Sequence, residues 1–386
     1  ESLLQSSGCR TAMAWIWTFT CGLGALVMAC VLFARQHRHK KLTVQGMTPW
    51  YMTFLHASWF ARLISLDEEA LINQACKQTG LSDFGDDLDG SQVEWRTGFQ
   101  VELASLVDEA CLSMLGRFIV KDDMLKTLET RLKIVQLLKD QPAILERPVP
   151  RPIVIVGLPR TASTLLLHLL ARDKRNRFLP LYEGMFPLPP TNGAKDARSS
   201  LVATVLQALD WVSPMLRKLH QCEAHEPEED TTLLRHTFRL LQADYLFNIP
   251  SYMQWVRAQD HLPVMRFHKI ILQILDEINP VSGTERWVLK DPAHLFTIEE
   301  ILQVYPNACI VQTHRDPIDI VASNCALYAS NRIVFSEMVD PDVVGAQSLE
   351  MWSTGVKKCM RTRKRLETTK KKHSKLDITT NTTTNT

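Results

Sequence analysis

The sequence predicts an α/β protein in which a P-loop-like parallel sheet with flanking helices follows a helical segment and an N-terminal transmembrane helix. Three observations lead to this fold class. Short, apolar, β-branched runs such as residues 153–156 alternate with helical patterns, as buried parallel strands do. Residues 50–145 repeat apolar side chains at helical spacing. Residues 11–34 carry no charged side chain and are long enough to span a bilayer as a helix.

Changes in composition divide the chain into four predicted regions. An N-terminal tail and transmembrane anchor, 1–41, is followed by a helical accessory segment, 42–150. A P-loop-like domain occupies 151–356, and a basic, low-complexity tail follows over 357–386. The tail is expected to be solvated or disordered, and a contact with a membrane surface is the alternative.

The apolar stretch 11–34 is interpreted as a single membrane span rather than as a signal peptide. It is longer than the apolar core of a signal peptide, and the basic residues of 35–41 follow it in place of a cleavage site. Trp15 and Trp17 would lie at one membrane interface. The basic flank favours a cytosolic main domain, whereas a sequon at Asn381 would suit a luminal tail, so both orientations stay open.

Composition disfavours two other classes of protein. With 44 basic and 42 acidic side chains the formal net charge is +2, so nothing indicates a nucleic-acid partner. The nine cysteines are irregularly spaced and include no CxxC pair, so neither a disulfide framework nor a metal site is expected.

Capping residues and periodicity predict the helical segment. Ser65 and Glu68 read as a capping box that opens a helix, and Gly80 ends that helix. Apolar residues then recur at helical spacing over 99–114 and again over 125–135. These stripes predict two further helices with core-facing sides.

The P-loop-like domain is predicted from alternating strands and helices. Beyond the strand at 153–156, residues 287–289 and 308–312 read as further buried strands. Thr297 and Asp316 are the predicted N-caps of the helices that follow these two strands. Such alternation predicts a parallel sheet with helices on both faces.

The segment 157–164 joins the first strand to a helix that is predicted to start near Ser163. This arrangement directs backbone N–H groups and the positive end of the helix at an anion. Arg160 adds a fixed charge, and the hydroxyls of Ser163 and Thr164 add donors. An ATP or GTP loop would read GxxxxGK[ST], but Ala162 replaces the second glycine and Ser163 replaces the lysine. A kinase or NTPase site is therefore disfavoured.

A second phosphate site is predicted at the end of the last strand. Arg315 follows that strand in the sequence Thr-His-Arg-Asp-Pro, and Ser323 lies about two helical turns further along. An arginine at the strand end and a serine on the next helix would hold one phosphate between them.

At these residues the sequence resembles the sulfotransferase superfamily, and in particular its bacterial-type branch. Residues 151–161, 288–295, 313–317 and 79–86 carry the resemblance, which covers about 65–355. It implies transfer of a sulfuryl group from 3′-phosphoadenosine-5′-phosphosulfate (PAPS) to a hydroxyl acceptor, which is a carbohydrate or a small molecule. It implies no metal.

The resemblance also implies where the donor binds. The 3′-phosphate would meet Arg315 and Ser323. The 5′-phosphosulfate would meet Arg160, Thr161, Ala162, Ser163, Thr164 and Leu165. The branch usually carries glycine in place of Ala162, whose methyl group narrows the freedom of the backbone.

Transfer needs a base that takes the proton of the acceptor hydroxyl. Glu183 is the favoured candidate because similar enzymes carry a glutamate at a comparable offset from the loop. His225 is the second candidate, since imidazole titrates near neutrality. Lys290, at the carboxyl end of a buried strand, would stabilise the transferring group. Pro292 stands where cytosolic sulfotransferases carry a catalytic histidine, which supports a carboxylate base.

Two alternative functions stay open from the sequence. One is a non-catalytic membrane protein with a degenerate sulfotransferase fold, and the other, less favoured, is a nucleotide-dependent kinase. The protein is expected to be a single-pass membrane protein. Its main domain would face either the cytosol or the Golgi lumen, where anchored members of the family commonly work.

Overall fold

The computed structural model describes residues 63–85, 94–190, 196–281 and 283–381, with side chains up to residue 368. The helices are α1 (Glu68–Thr79), α2 (Trp95–Asp108), α3 (Met114–Asp140), α4 (Ser163–Ala171), α5 (Leu181–Met185), α6 (Arg198–Val212), α7 (Pro214–Leu219), α8 (Thr231–Leu234), α9 (Pro250–Arg257), α10 (Leu262–Ile278), α11 (Ile298–Val304), α12 (Pro317–Phe335) and α13 (Pro341–Asn381). The strands are β1 (Ile153–Gly157), β2 (Asn176–Phe178), β3 (Arg286–Lys290) and β4 (Cys309–Thr313). Short 3₁₀ helices cover Pro142–Glu146, Arg235–Thr237, Ala243–Tyr245 and Pro292–Phe296.

The four strands form one parallel sheet in the order β2-β3-β1-β4. Ile153 of β1 pairs with Val288 of β3 on one side and with Cys309 of β4 on the other. The predicted α/β class with a parallel sheet is thereby confirmed, and no end of the three predicted strands differs from the observed one by more than one residue. The edge strand β2 was not predicted, because it is only three residues long and contains polar side chains.

Both faces of the central strand are buried, which explains its wholly apolar sequence. On one face, Ile155 packs with Val288 and with Leu167 of α4. On the other face, Val154 and Val156 belong to the main core of the molecule. The helices therefore cover the sheet on both sides, as the alternation of elements predicts.

The helical segment before the sheet belongs to the same core. Leu128 and Leu132 of α3 are fully buried in the cluster that contains Val154 of β1. The buried guanidinium of Arg131 donates hydrogen bonds to the carbonyl oxygens of Phe84 at 2.8 Å and His236 at 2.9 Å. One arginine thus holds the backbone of two distant loops against α3.

Backbone hydrogen bonds also join the turn before α3 to the end of α12. The Ser113 N–H donates to the Phe335 carbonyl at 2.8 Å, and the Ser336 hydroxyl donates to the Ala110 carbonyl at 2.7 Å. Leu112 and Ser336 form an isolated antiparallel bridge at the same place. These contacts tie the helical segment to the C-terminal half of the chain.

The first helix begins differently from the prediction. Its N-cap is Asp67, whose carboxylate accepts a hydrogen bond from the Ala70 N–H at 2.8 Å. Ser65, the predicted cap, lies two residues too early to reach the first turn. Gly80 ends the helix in the left-handed conformation with φ of 70°, as predicted.

The tail from residue 357 was expected to be solvated or disordered, and α13 continues through it as far as residue 381. Cys359 is buried in the main core, and Trp352, about two turns earlier, is buried there as well. Lys358 lies 3.8 Å from Glu300 of α11. The start of the basic region therefore packs against the rest of the molecule.

None of the helices in the described ranges has both the length and the apolar content that crossing a bilayer requires. The predicted span at 11–34 lies outside those ranges, as does the sequon segment beyond residue 381.

Helix α3 allows a direct test of how tightly it packs on α12. A methyl group added at Gly116 would overlap the carbonyl oxygen of Phe335. We expect Gly116→Ala to lower the free energy of unfolding by about 1–3 kcal/mol, since an overpacked contact forces the backbone to shift. Urea denaturation followed by circular dichroism measures this change.

The matched control is Gly345→Ala in α13, where nothing lies within 4 Å of an added methyl group. This change should raise the free energy of unfolding by about 0.5–1 kcal/mol, because alanine is the better helix former. Equal stabilities of Gly116→Ala and the unmodified protein would mean that α3 and the end of α12 do not touch in solution.

Candidate functional site

Polar groups from three strands lie at the same edge of the sheet. Strand β1 ends at Gly157 and leads into the loop at 157–162. Lys290 is the last residue of β3, and Arg315 lies two residues after β4. Parallel strands place such segments side by side, and this edge is where open α/β sheets bind their ligands.

The loop after β1 has an unusual backbone. Arg160 and Ala162 adopt the left-handed conformation with φ of 66° and 63°. Gly157 has φ of 148°, and a methyl group there would overlap the hydroxyl of Thr313 on β4. Only glycine fits at position 157, whereas Ala162 adopts a strained conformation that a glycine would adopt freely.

The loop leads into α4 without a side-chain cap. Ala162 is the N-cap residue, and its methyl side chain cannot accept a hydrogen bond from the first N–H groups of α4, which have no intrahelical partner. The Thr161 hydroxyl donates to the Leu158 carbonyl at 2.7 Å and lies 2.6 Å from the Thr313 hydroxyl, which links β1 to β4. The helix terminus thus presents N–H donors and partial positive charge to an anion.

The predicted phosphate-binding side chains come together at this edge. Arg160 donates through Nε to the Ser323 hydroxyl at 3.0 Å. Arg315 donates to the carbonyl oxygen of Arg160 at 3.3 Å and lies 3.5 Å from Asp319. Arg315 is half-exposed, so its guanidinium is accessible to a ligand. Leu165, by contrast, is largely exposed on α4.

Lys290 is buried where β3 ends. Its ammonium donates to the Thr164 hydroxyl at 3.2 Å and forms an ion pair with Glu229. Burial acts against the charged form, but Glu229 and Glu228 outweigh it and raise the pKa of Lys290. A buried and permanently charged ammonium therefore lies beside the first turn of α4.

Asp230 anchors the acidic segment to β3. Its N–H donates to the Lys290 carbonyl at 3.2 Å, and its carboxylate accepts from the Lys290 N–H at 3.1 Å. The other carboxylate oxygen lies 2.9 Å from His268 and 2.9 Å from His294. Burial disfavours the charged forms of His294 and Asp230, but their interaction outweighs it. Asp230 raises the pKa of His294 to about 9, and His294 and His268 lower the pKa of Asp230.

A second ion pair lies next to the loop. His220 and Glu228 approach to 3.3 Å, and Arg160 donates to the carbonyl of the preceding Leu219 at 2.8 Å. Burial disfavours the charged forms of His220 and Glu228, but nearby charges outweigh it. Glu228 raises the pKa of His220, and His220 and Lys290 lower the pKa of Glu228 to about 2. Cys222 lies beside this pair, and its thiol has a raised pKa because of burial and the charge of Glu228.

A cavity of about 440 Å³ opens beside these groups. Its polar end contains Pro159 of the loop together with His220, Glu228 and Glu229. Its remaining walls combine apolar side chains from α5, α6, α7 and α12 with polar ones such as Gln207, Asn324 and Asn331, and most of the exposed surface is apolar; the apolar side chains include Leu181, Leu206, Leu209, Leu216, Leu327 and Tyr328. The loop after β1 therefore meets a largely apolar cavity at Pro159.

Glu183, the first candidate for the base, does not line this cavity. Leu181 and Met185 of the short helix α5 do line it, and a residue between them points to the opposite side of the helix. There Glu183 accepts from Asn279 and lies 3.7 Å from Arg177. Glu183 is thus turned away from the cavity, and its role as the base stays a prediction.

His225, the second candidate, is exposed and packs edge-on against the ring of Tyr182 at 5.2 Å between centroids. It is not among the residues that line the cavity. The sequence reasoning missed His220, Glu228 and Glu229, which do line it. The acidic run after His225 was the only signal for them, and it does not reveal which of its members turn inward.

The loop between α7 and α8 contains three side chains whose ligand atoms are close enough together to hold one metal ion, the only such group in the described ranges. The ligand atoms of His220, Cys222 and Glu228 lie within 4.8 Å of one another. No spacing motif identifies this set in the sequence, where a metal site was not expected.

Comparison with known proteins agrees with the fold. The sequence model of the Sulfotransferase family matches residues 152–373. Sulfotransferase STF1 from Mycobacterium tuberculosis H37Rv is 29% identical, with 78% of this chain and 81% of that chain covered and a TM-score of 0.67. Sulfotransferase STF9 from Mycobacterium avium is 25% identical, with 78% and 76% covered and a TM-score of 0.64. No curated protein matches the chain significantly.

The family match extends over more than half of the chain and includes the loop after β1, Lys290, Arg315 and Ser323. Two solved sulfotransferases share the fold over most of their own lengths. The chain therefore belongs to the sulfotransferase family and is a transferase enzyme.

Proposed function

We propose that this enzyme transfers a sulfuryl group from PAPS to the hydroxyl of a small, largely apolar acceptor. One observation carries the proposal. The anion-binding loop, with the ammonium of Lys290 beside it, lies at the polar end of a chamber whose walls are largely apolar. A sulfuryl group held by the loop would thus be presented to a hydroxyl in the chamber.

The donor site follows from the chemistry of the loop. The N–H groups at the start of α4 and the hydroxyls of Ser163 and Thr164 would bind the 5′-phosphosulfate. Arg315 and Ser323, which are linked through Arg160, would bind the 3′-phosphate. A lysine that would bind the β- and γ-phosphates of ATP is missing, since Ser163 stands at its position.

PAPS would supply an activated sulfuryl group whose leaving phosphate gains negative charge during transfer. Lys290 is suited to stabilise that charge, because its ammonium is buried and lies within hydrogen-bond distance of Thr164. In such a site a fixed positive charge costs little reorganisation and acts in surroundings from which water is largely excluded. The ion pair with Glu229 holds the ammonium in place before the donor arrives.

His220 is the group best placed to take the proton from the acceptor. His220 lines the cavity, and Glu228 orients its imidazole. The residue before it, Leu219, accepts a hydrogen bond from Arg160 through its carbonyl oxygen. Glu228 also raises its pKa, so the neutral imidazole that accepts a proton forms only on the alkaline side of the ordinary histidine range.

The acceptor class follows from the walls of the cavity. Most of the exposed surface of the cavity is apolar, so a compound with a largely apolar body would bury more apolar area there than a free sugar would. A phenol or an alicyclic alcohol would bury its apolar body and direct its one hydroxyl at His220. We propose such a compound as the acceptor.

The donor site is tested by thermal shift with 3′-phosphoadenosine-5′-phosphate, the desulfated donor, and with ATP as the comparison. We expect the bisphosphate to stabilise the protein more than ATP does. Arg315→Ala should weaken its binding about ten- to a hundredfold, since a hydrogen bond to a charged group contributes about 1.5–3 kcal/mol. Arg175→Ala, at an exposed arginine that pairs with Asp173, is the control and should bind normally. Equal shifts with ATP and the bisphosphate would contradict the donor assignment.

The proton acceptor is tested by the pH dependence of kcat/KM. Protonated His220 cannot accept a proton, so activity should rise with pH through a midpoint above about 6.5, the ordinary value for imidazole. Glu228→Gln should move the midpoint to lower pH because it removes the charge that raises the pKa of His220. His220→Gln should lower kcat/KM by about 10²–10⁴-fold.

The control for this pH profile is Glu226→Gln, a change in the exposed carboxylate that faces His168 outside the cavity. It should leave the profile unchanged. Full activity of His220→Gln together with loss of activity in a folded Glu183→Gln variant would return the role of base to Glu183.

The acceptor chamber is tested by filling it. Ala203 of α6 lines the cavity, and Ala203→Trp should raise KM for a bulky phenol at least about tenfold while the bisphosphate binds as before. Thr204→Trp is the matched control, since Thr204 is exposed on the same helix. Steady-state assays with a phenol, a sterol and a hexose measure the preference. Faster transfer to the hexose would refute an apolar acceptor.

A further inference from the structure

Three chemically different ligand groups converge in the loop between α7 and α8. The nitrogen of His220, the sulfur of Cys222 and a carboxylate oxygen of Glu228 all lie within 4.8 Å of one another. His220 Nε2 and Glu228 Oε2 are already 3.3 Å apart. All three side chains are partly buried, so water competes with a bound ion less than at an exposed cluster.

The spacing is close to what one tetrahedral ion needs. Zinc binds nitrogen and oxygen at about 2.0–2.2 Å and sulfur at about 2.3 Å, so its ligand atoms lie about 3.3–3.8 Å apart. The His220–Glu228 distance falls in that interval. The remaining separations, which reach at most 4.8 Å, need a movement of about 1 Å that rotation of the Cys222 side chain can supply.

The backbone of the loop holds two of the ligands firmly. The His220 N–H donates to the Leu216 carbonyl at 2.8 Å, and the Glu228 N–H donates to the Leu179 carbonyl at 2.9 Å. Next to Glu228, Pro227 bridges to Pro180. Side chains on a fixed backbone lose little conformational entropy when an ion binds, which favours binding.

The donor set selects a particular class of ion. Imidazole and thiolate are ligands for zinc and similar transition ions, whereas magnesium and calcium prefer oxygen alone. Three protein ligands leave a fourth tetrahedral position open. Since His220, Cys222 and Glu228 all line the cavity, that position would face the acceptor chamber.

We propose that His220, Cys222 and Glu228 bind one Zn²⁺ ion, and that the bound ion inhibits sulfuryl transfer. Binding releases the proton of the Cys222 thiol and the proton on His220 Nε2 to solvent, and it replaces the His220–Glu228 contact with two bonds to the metal. The imidazole nitrogen that would accept the acceptor's proton is then occupied by zinc. The inhibition rests on the proposed role of His220 in transfer, whereas the binding of zinc does not.

Binding is tested on the full chain after treatment with a chelator and removal of the chelate. Isothermal titration with ZnCl₂ should give one site of micromolar or tighter affinity. Titration with Co²⁺ should give the near-ultraviolet absorption of a thiolate–cobalt bond. Cys222→Ser and Glu228→Gln should each weaken this site at least about tenfold, because loss of even an outer partner of a metal ligand costs 10–100-fold.

Cys309→Ala is the matched control, because Cys309 is exposed at the amino end of β4, the opposite end of the strand from the site. It should bind zinc as the unmodified chain does. Thermal unfolding shows whether each variant is folded, and the two ligand variants serve as substitutes for one another if one fails to fold. Unchanged zinc affinity in both folded ligand variants, or no thiolate–cobalt absorption, would overturn the site.

Inhibition is tested separately. Zinc at concentrations that fill the site should abolish transfer, EDTA should restore it, and Cys222→Ser should need at least about tenfold more zinc for half-inhibition than the unmodified chain. Saturation of the site by zinc with no loss of activity would overturn the inhibitory role and leave the metal site intact. Absence of transfer without zinc would instead refute the proposed function, and the calorimetric result would still decide the metal site.

Discussion

Asp230 is buried at the carboxyl edge of the sheet, where two histidines rather than water balance its negative charge. Its carboxylate and its backbone both bind Lys290, so the acidic loop is held in register with β3. The neighbouring Glu229 consequently meets the Lys290 ammonium, and Glu228 meets His220. Removing one partner of such a buried pair costs about 3–5 kcal/mol, so the shape of the polar end of the cavity depends on this carboxylate.

The fold was largely predictable because its central features are local in sequence. A buried parallel strand must be apolar on both faces, and residues 153–156 are. The edge strand β2 has no such pattern, since its pairing depends on β3 more than 100 residues later. The packing of the basic region around Lys358 was not predictable for a similar reason, because Lys358 meets Glu300 of α11, which lies far away in the sequence.

The two halves of the site were not equally predictable. The proposed donor side consists of strand ends and the helices that follow them, so Arg160, Arg315 and Ser323 could be predicted from spacing and from the resemblance to a known family. The proposed acceptor side depends on which side of a short helix or loop faces inward. His220 lines the cavity and Glu183 does not. The neighbouring sequence contains no signal that distinguishes a carboxylate or imidazole that faces the cavity from one that faces away.

The family match begins at residue 152, but the packing does not. Leu128 and Leu132 of α3 share one core with β1, and Ser113 binds the backbone at the end of α12. A shortened chain that starts at the match would lose these partners and expose the apolar side of the sheet that they cover. It would therefore be a fragment of a cooperative folding unit, prone to aggregation. The first residue of the family match is therefore not the first residue of the packed unit.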